Sequence, residues 1–134
     1  MPPSIVWGVG VGLAIAAIDA LAVVLMTVPS LSQWPIADLD YMANIVLYSF
    51  IGFRVGKVTG VVREAAESGV LAAAIVAVVG IAVSIAIRPS TEAVDTTMEV
   101  VRVVSHNVAL GGVLAIVAGW VGSRSNLDRP VSRR

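Results

Sequence analysis

Asp19 is the residue whose placement asks for chemistry. It stands inside Ile5–Val28, a run of 24 residues in which Thr27 is the other polar side chain. A carboxylate in the middle of a membrane span costs about 2.5–3.5 kcal/mol on insertion scales, and such residues are retained for a function or for a partner. At 1.5 Å per helical residue, Asp19 lies about 13 Å from the outer end of its segment. The same measure puts Tyr48 and Ser49 at about 10 and 12 Å on a second segment and Ser84 at about 6 Å on a third. His106 and Asn107 fall at about 10 and 12 Å on a fourth. Four segments thus offer hydrogen-bonding groups to one layer.

Two readings of that layer are open. In one, Asp19 and His106 form a protonatable pair, with Asn107, Tyr48, Ser49 and Ser84 around it, and the pair binds a cation or relays a proton. In the other, the same groups are interhelical glue, at about 0.6 kcal/mol per bond. The second is preferred, because a single acid and a single histidine make a thin constellation, and it makes the chain a structural or accessory four-helix membrane protein that self-associates. The first makes it a proton- or cation-coupled small transporter or channel subunit. A serine hydrolase is not expected: His106 projects about 100° from the Ser105–Gly112 stripe of its own helix.

Other chemistries are excluded by composition. There is no cysteine, hence no disulfide or thiolate ligand, and a single histidine makes no His-rich metal site. Gly8, Gly10 and Gly12 lie inside an apolar span with no P-loop lysine, so they are not a phosphate fingerprint. Nine Lys and Arg balance nine Asp and Glu, which gives nucleic acid nothing to attract it. No metal, cofactor or enzymatic activity is expected.

An embedded acid early in a four-span chain resembles the small multidrug-resistance transporters, which carry one such acid in their first helix. The match is confined to topology and Asp19. That family's acid is a glutamate, and its later aromatic and glycine motifs have no counterpart here, since Trp7, Trp34 and Trp120 all fall near interfaces. No family is assigned on it.

The elements that must position these residues follow from hydropathy. Of 134 residues, 57% are apolar and 13% charged, against about half and a quarter in a soluble domain. Mean hydropathy is +0.92. About 20 apolar residues span the hydrocarbon as a helix. Four segments meet or approach that length, predicting helices near 5–28, 41–62, 69–88 and 98–122, with a basic tail at 123–134, all in one membrane domain, 1–134. The second is weakest, because it must continue through Arg54 and Lys57; a re-entrant or interfacial segment is its alternative. Many Val and Ile do not argue for strands, since an unpaired backbone in lipid outweighs propensity. The first segment lacks both an initial cation and a cleavage site, so it is expected to be retained.

Seven of the nine cations fall in the second connection and the tail, and Arg88 and Arg102 fall on the other side. By the positive-inside rule this predicts an up-down-up-down bundle in the cell membrane with both termini cytoplasmic. Small residues recur at helical spacing: Gly8 and Gly12; Gly52, Gly56 and Gly60; Gly80; Gly112 and Gly119. Such seams let backbones approach closely, either within one bundle or between copies of the chain, so the expected partners are the bilayer and a second copy. A shift of 60 residues aligns Ala14–Ser30 with Ala74–Ser90 at seven of 17 positions. Either a parallel duplication of a helical hairpin or shared low-complexity composition accounts for that.

Overall fold

The structure, a computed structural model, describes residues 1–31, 34–87 and 96–125. Arg88 and the basic tail from Asn126 lie outside the described residues. Among those described, the chain is all helical: α1 (Pro3–Met26), α2 (Ile36–Thr59), α3 (Val62–Ile87) and α4 (Thr96–Arg124). Each is long and apolar enough to cross a membrane, the second included.

Local chemistry sets where the helices start and stop. Pro3 opens α1 at a position where a missing N–H costs nothing. At its other end the Thr27 hydroxyl donates to the Val24 carbonyl at 2.6 Å, and a turn around Pro29 follows, with the Leu31 N–H 2.9 Å from the Val28 carbonyl. Pro35 precedes α2, and its carbonyl accepts the Leu39 N–H at 3.0 Å. The helix therefore begins five residues before the expected position 41. Asp38 and Asp40, assigned from sequence to the connection, belong to its first turns. An acid is favourable at a helix N-terminus, so their charge is no argument against helix there.

The link between α2 and α3 is shorter than the sequence suggested. Gly60 adopts φ +70° and its N–H bonds to the Gly56 carbonyl at 2.8 Å. This is the left-handed cap that glycine supplies without a Cβ penalty. Only Val61 separates it from α3, which starts at 62 instead of 69 and takes in Arg63, Glu64 and Glu67. Gly60 thus terminates a helix; a Cβ there would meet nothing within 4 Å, so it is no part of a packing seam.

The remaining glycines decide how the helices pack. A Cβ at Gly12 would come within 2.9 Å of the Ala72 Cα, and one at Gly8 within 3.0 Å of the Ser68 carbonyl, which sets α1 on α3. Gly52 and Gly56 press on the backbone of Ala115 and Gly119, which sets α2 on α4. Gly69 meets Gly111 and Ala115, and Gly119 meets Ala65, so α3 and α4 are equally close. Gly112 makes an ordinary contact with Val70, whereas Gly10 and Gly80 face open space. α1 and α4 occupy the far corners, and α2 and α3 touch between them.

The interior is made of small side chains. Ala65, Ala72, Ala73, Ala77 and Ala115 are buried, and the largest fully buried side chain is Tyr48. Leu13, Leu21, Val46, Val78, Val113 and Val117 face outward, each more than half exposed. A bundle folded in water would reverse that order, whereas helices in lipid gain nothing by hiding leucine and associate through close backbone contact. Gly56→Ala is therefore expected to destabilise the bundle by about 1–3 kcal/mol through overpacking. Gly10→Ala should be neutral or stabilising by up to about 1 kcal/mol. Denaturant titration of the protein in micelles, followed by circular dichroism, measures both.

Candidate functional site

Row by row down α2, residues four apart carry the site into the core. Asp40, Asn44, Tyr48, Gly52 and Gly56 advance about 40° per step around the helix. The row therefore winds slowly from α1 at one end to α4 at the other. Asn44 meets α1, Tyr48 sits in the core, and the two glycines meet α4.

On α1, Asp19 lies about 10 Å from the helix end at Met26, counting 1.5 Å per residue. Its Oδ1 accepts a hydrogen bond from the Asn44 side-chain N–H at 3.0 Å. The Asp40 carboxyl lines the same cavity as Asp19, and its Oδ1 is buried with no hydrogen-bond partner among the described residues. Two carboxyls lining one cavity gather acceptor oxygens at its wall.

The pair opens onto a cavity of about 200 Å³ to which all four helices contribute. Asp19 and Asp40 form one side; Gly80 and Ser84 of α3 and Asn107 of α4 form the other. The cavity lies where α1 and α4 are not in contact, and the absent side chain of Gly80 adds to its room. Beyond Asp40, between α1 and α2, is a second and almost wholly apolar pocket of about 340 Å³, walled by Ile18, Leu21, Leu25, Trp34 and Leu39. Among the described residues, Asp40 is the one that borders both.

The residues singled out from sequence divide accordingly. Asp19, Ser84 and Asn107 share the cavity, although the Asn107 amide also donates to the Val103 carbonyl of its own helix at 3.0 Å. Tyr48 is fully buried beneath it, its ring against Gly111. Ser49 is half-buried and does not line the cavity. His106 is exposed on the outer face of α4, about one-third of a turn from Asn107, and is not brought to Asp19. Its place opposite Asp19 is taken by Asp40 and Asn44, which the sequence reading missed. The signal for both was present: they continue the Gly52–Gly56 spacing of four toward the start of α2. Arg54, a cation on the same helix, is engaged elsewhere, with its guanidinium 5.5 Å from the Trp7 ring centre.

Comparison with known proteins adds no assignment: no family model, no curated protein and no solved structure matches the chain. The site's chemistry therefore has to be argued from its own geometry. Removing the donor by Asn44→Ala leaves Asp19 short of a bond in a buried setting and should cost about 1–3 kcal/mol. His106→Ala, on an exposed face, should stay within about 0.5 kcal/mol of wild type. Micelle unfolding of the two variants side by side provides the measurement.

Proposed function

We propose that this chain is a small integral protein of the cell membrane that binds and moves a proton or small cation at the Asp19–Asp40 pair. The observation that carries the proposal is the cavity: facing carboxyls line an open space between four helices. A polar layer serving only as glue would close on itself, each group satisfied by a neighbour and no room left. The small-residue seams, which had suggested self-association, are occupied within the single chain at Gly8, Gly12, Gly52, Gly56 and Gly119. That removes the main argument for a purely accessory, self-associating protein. Ser105 bonds to the Val101 carbonyl of its own helix and His106 faces outward, so these two do not pair with Asp19.

In this reading the chain runs up-down-up-down with both termini in the cytoplasm, and the cavity lies in the outer half of the membrane. Helix contacts support the alternation: Trp7 touches Phe50 while Asp19 touches Asn44, an antiparallel register for α1 and α2. The cation count sets the sidedness. A parallel duplication is part of the proposal as well. α1 and α3 begin 59 residues apart and α2 and α4 begin 60 apart, close to the repeat of 60 in the sequence. The two halves differ in chemistry, since Val79, Val100, Val104 and Val108 stand 60 residues after Asp19, Asp40, Asn44 and Tyr48. At these four positions polarity is confined to the first hairpin.

In proteoliposomes with an imposed pH gradient, wild-type protein should carry a flux that depends on pH. Asp19→Asn and Asp40→Asn should each lose that dependence while keeping the helical content of wild type. Wild-type protein that moves neither protons nor cations under any gradient would end the transport reading. Sidedness has its own test, helped by the absence of native cysteine. Ser30→Cys should react with an impermeant maleimide from outside intact cells, and Ser125→Cys should react only after permeabilisation.

A further inference from the structure

At the end of the bundle where α1 begins and α2 closes, aromatic rings hold two cations in place. The Arg54 guanidinium lies 5.5 Å from the Trp7 ring centre and the Lys57 ammonium 5.6 Å from that of Phe53. Trp7 in turn meets Phe50 edge to face at 6.0 Å. Arg54 and Lys57 are three residues apart on α2, a spacing that puts both on one face with their Cβ atoms about 5–6 Å apart. At 1.5 Å per residue, Arg54 stands about 9 Å before the Gly60 cap and Lys57 about 5 Å. A cation reaching for headgroups in general would extend along its own helix toward water. Arg54 instead crosses to the ring of a neighbouring helix.

Charge on this face has one sign. Among the described residues no carboxylate is paired with Arg54. The acids of α1 and α2, Asp19, Asp38 and Asp40, stand in the opposite half of their helices. Glu64 and Glu67 at the near end belong to α3, and Glu67 is held by Arg63 at 2.8 Å. A ring stacked on a guanidinium covers one face and leaves the N–H edge to an acceptor in the plane. Phosphate fits that edge, two oxygens to two N–H groups. Leading up to the two cations, Met42, Val46 and Phe50 follow at intervals of four and are exposed. They form an apolar strip about 12 Å long.

We infer that this face binds one anionic phospholipid, its phosphate between Arg54 and Lys57 and an acyl chain along the strip from Phe50 to Met42. The site requires that the helices be membrane spans, as read above, and is independent of what the cavity carries. Charge complementarity selects the headgroup. Two cations meet a net negative phosphodiester, whereas a zwitterionic headgroup brings its own ammonium to the same place. The strip selects a lipid over soluble phosphate, which would gain nothing from Met42, Val46 and Phe50.

The test is quenching of Trp7 emission in a Trp34→Phe, Trp120→Phe background, reconstituted with brominated phosphatidylglycerol or brominated phosphatidylcholine. The anionic lipid should quench more strongly at equal mole fraction and saturate earlier. Comparing the two lipids within each variant cancels any change in Trp7 emission itself. Arg54→Gln and Lys57→Gln should each lower the preference about fivefold, and together erase it. Arg63→Gln, whose cation is committed to Glu67, should leave it unchanged. Circular dichroism checks that each variant is helical. Equal quenching by the two lipids overturns the site and leaves the membrane reading standing. Quenching by neither removes both. A preference that survives the double variant, or that Arg63→Gln lowers as much, overturns the assignment to Arg54 and Lys57. Release of the lipid by millimolar inorganic phosphate overturns the lipid in favour of phosphate alone.

Discussion

Helices surrounded by hydrocarbon have no hydrophobic reason to associate, and in this chain the substitute is the missing side chain. Where α1 meets α3 and where α4 meets α2 and α3, glycine stands at the crossing: Gly12 on Ala72, Gly52 on Ala115, Gly56 on Gly119, Gly69 on Gly111. Backbone-to-backbone approach gathers many weak dispersion contacts, and each falls off steeply with distance. The contact is therefore all or nothing at each crossing. α2 and α4 are sealed along the half of the bundle that holds Gly52 and Gly56, and that seal fixes the rotation of α2.

The rotation of α2 in turn determines what its other half presents. With Gly52 and Gly56 committed to α4, a spacing of four residues carries Asn44 to α1 and Asp40 to the cavity. No comparable seal exists there, since Gly80 meets nothing within 4 Å and α1 stands clear of α4. The bundle is tight at one end and open at the other, and the carboxyl pair occupies the boundary. Asp19 is accommodated in its apolar helix because Asn44 supplies a donor and a cavity opens beside it.

Much of this was legible in the sequence, for physical reasons that also mark where legibility ended. Span length and uninterrupted hydropathy disclosed four helices, and the embedded position of Asp19 pointed to the candidate site. The start of α2 was misplaced because Asp38 and Asp40 were read as loop residues, when an acid in the first turns of a helix is stabilised by the helix dipole. That displacement hid Asp40. His106 was chosen as partner by depth alone, and depth does not fix rotation: Asn107 faces the cavity and its neighbour faces away. Rotation was decided by glycine contacts between helices far apart in sequence. Gly60 was grouped with a seam by spacing, when its positive φ made it a terminator, and spacing cannot tell the two apart.

That terminator has a bearing on how the protein reaches its membrane. Gly60 and Val61 leave no slack between α2 and α3, so neither helix can rest at the interface while the other crosses. α2, with Asp38, Asp40, Arg54 and Lys57, is the segment least inclined to enter lipid unaided. Joined at its end to the strongly apolar α3, it would enter a bilayer as one arm of a hairpin whose partitioning the more apolar arm governs. The polar face of α2 can be as rich as it is because a neighbour across a two-residue turn carries it through the step it would fail alone.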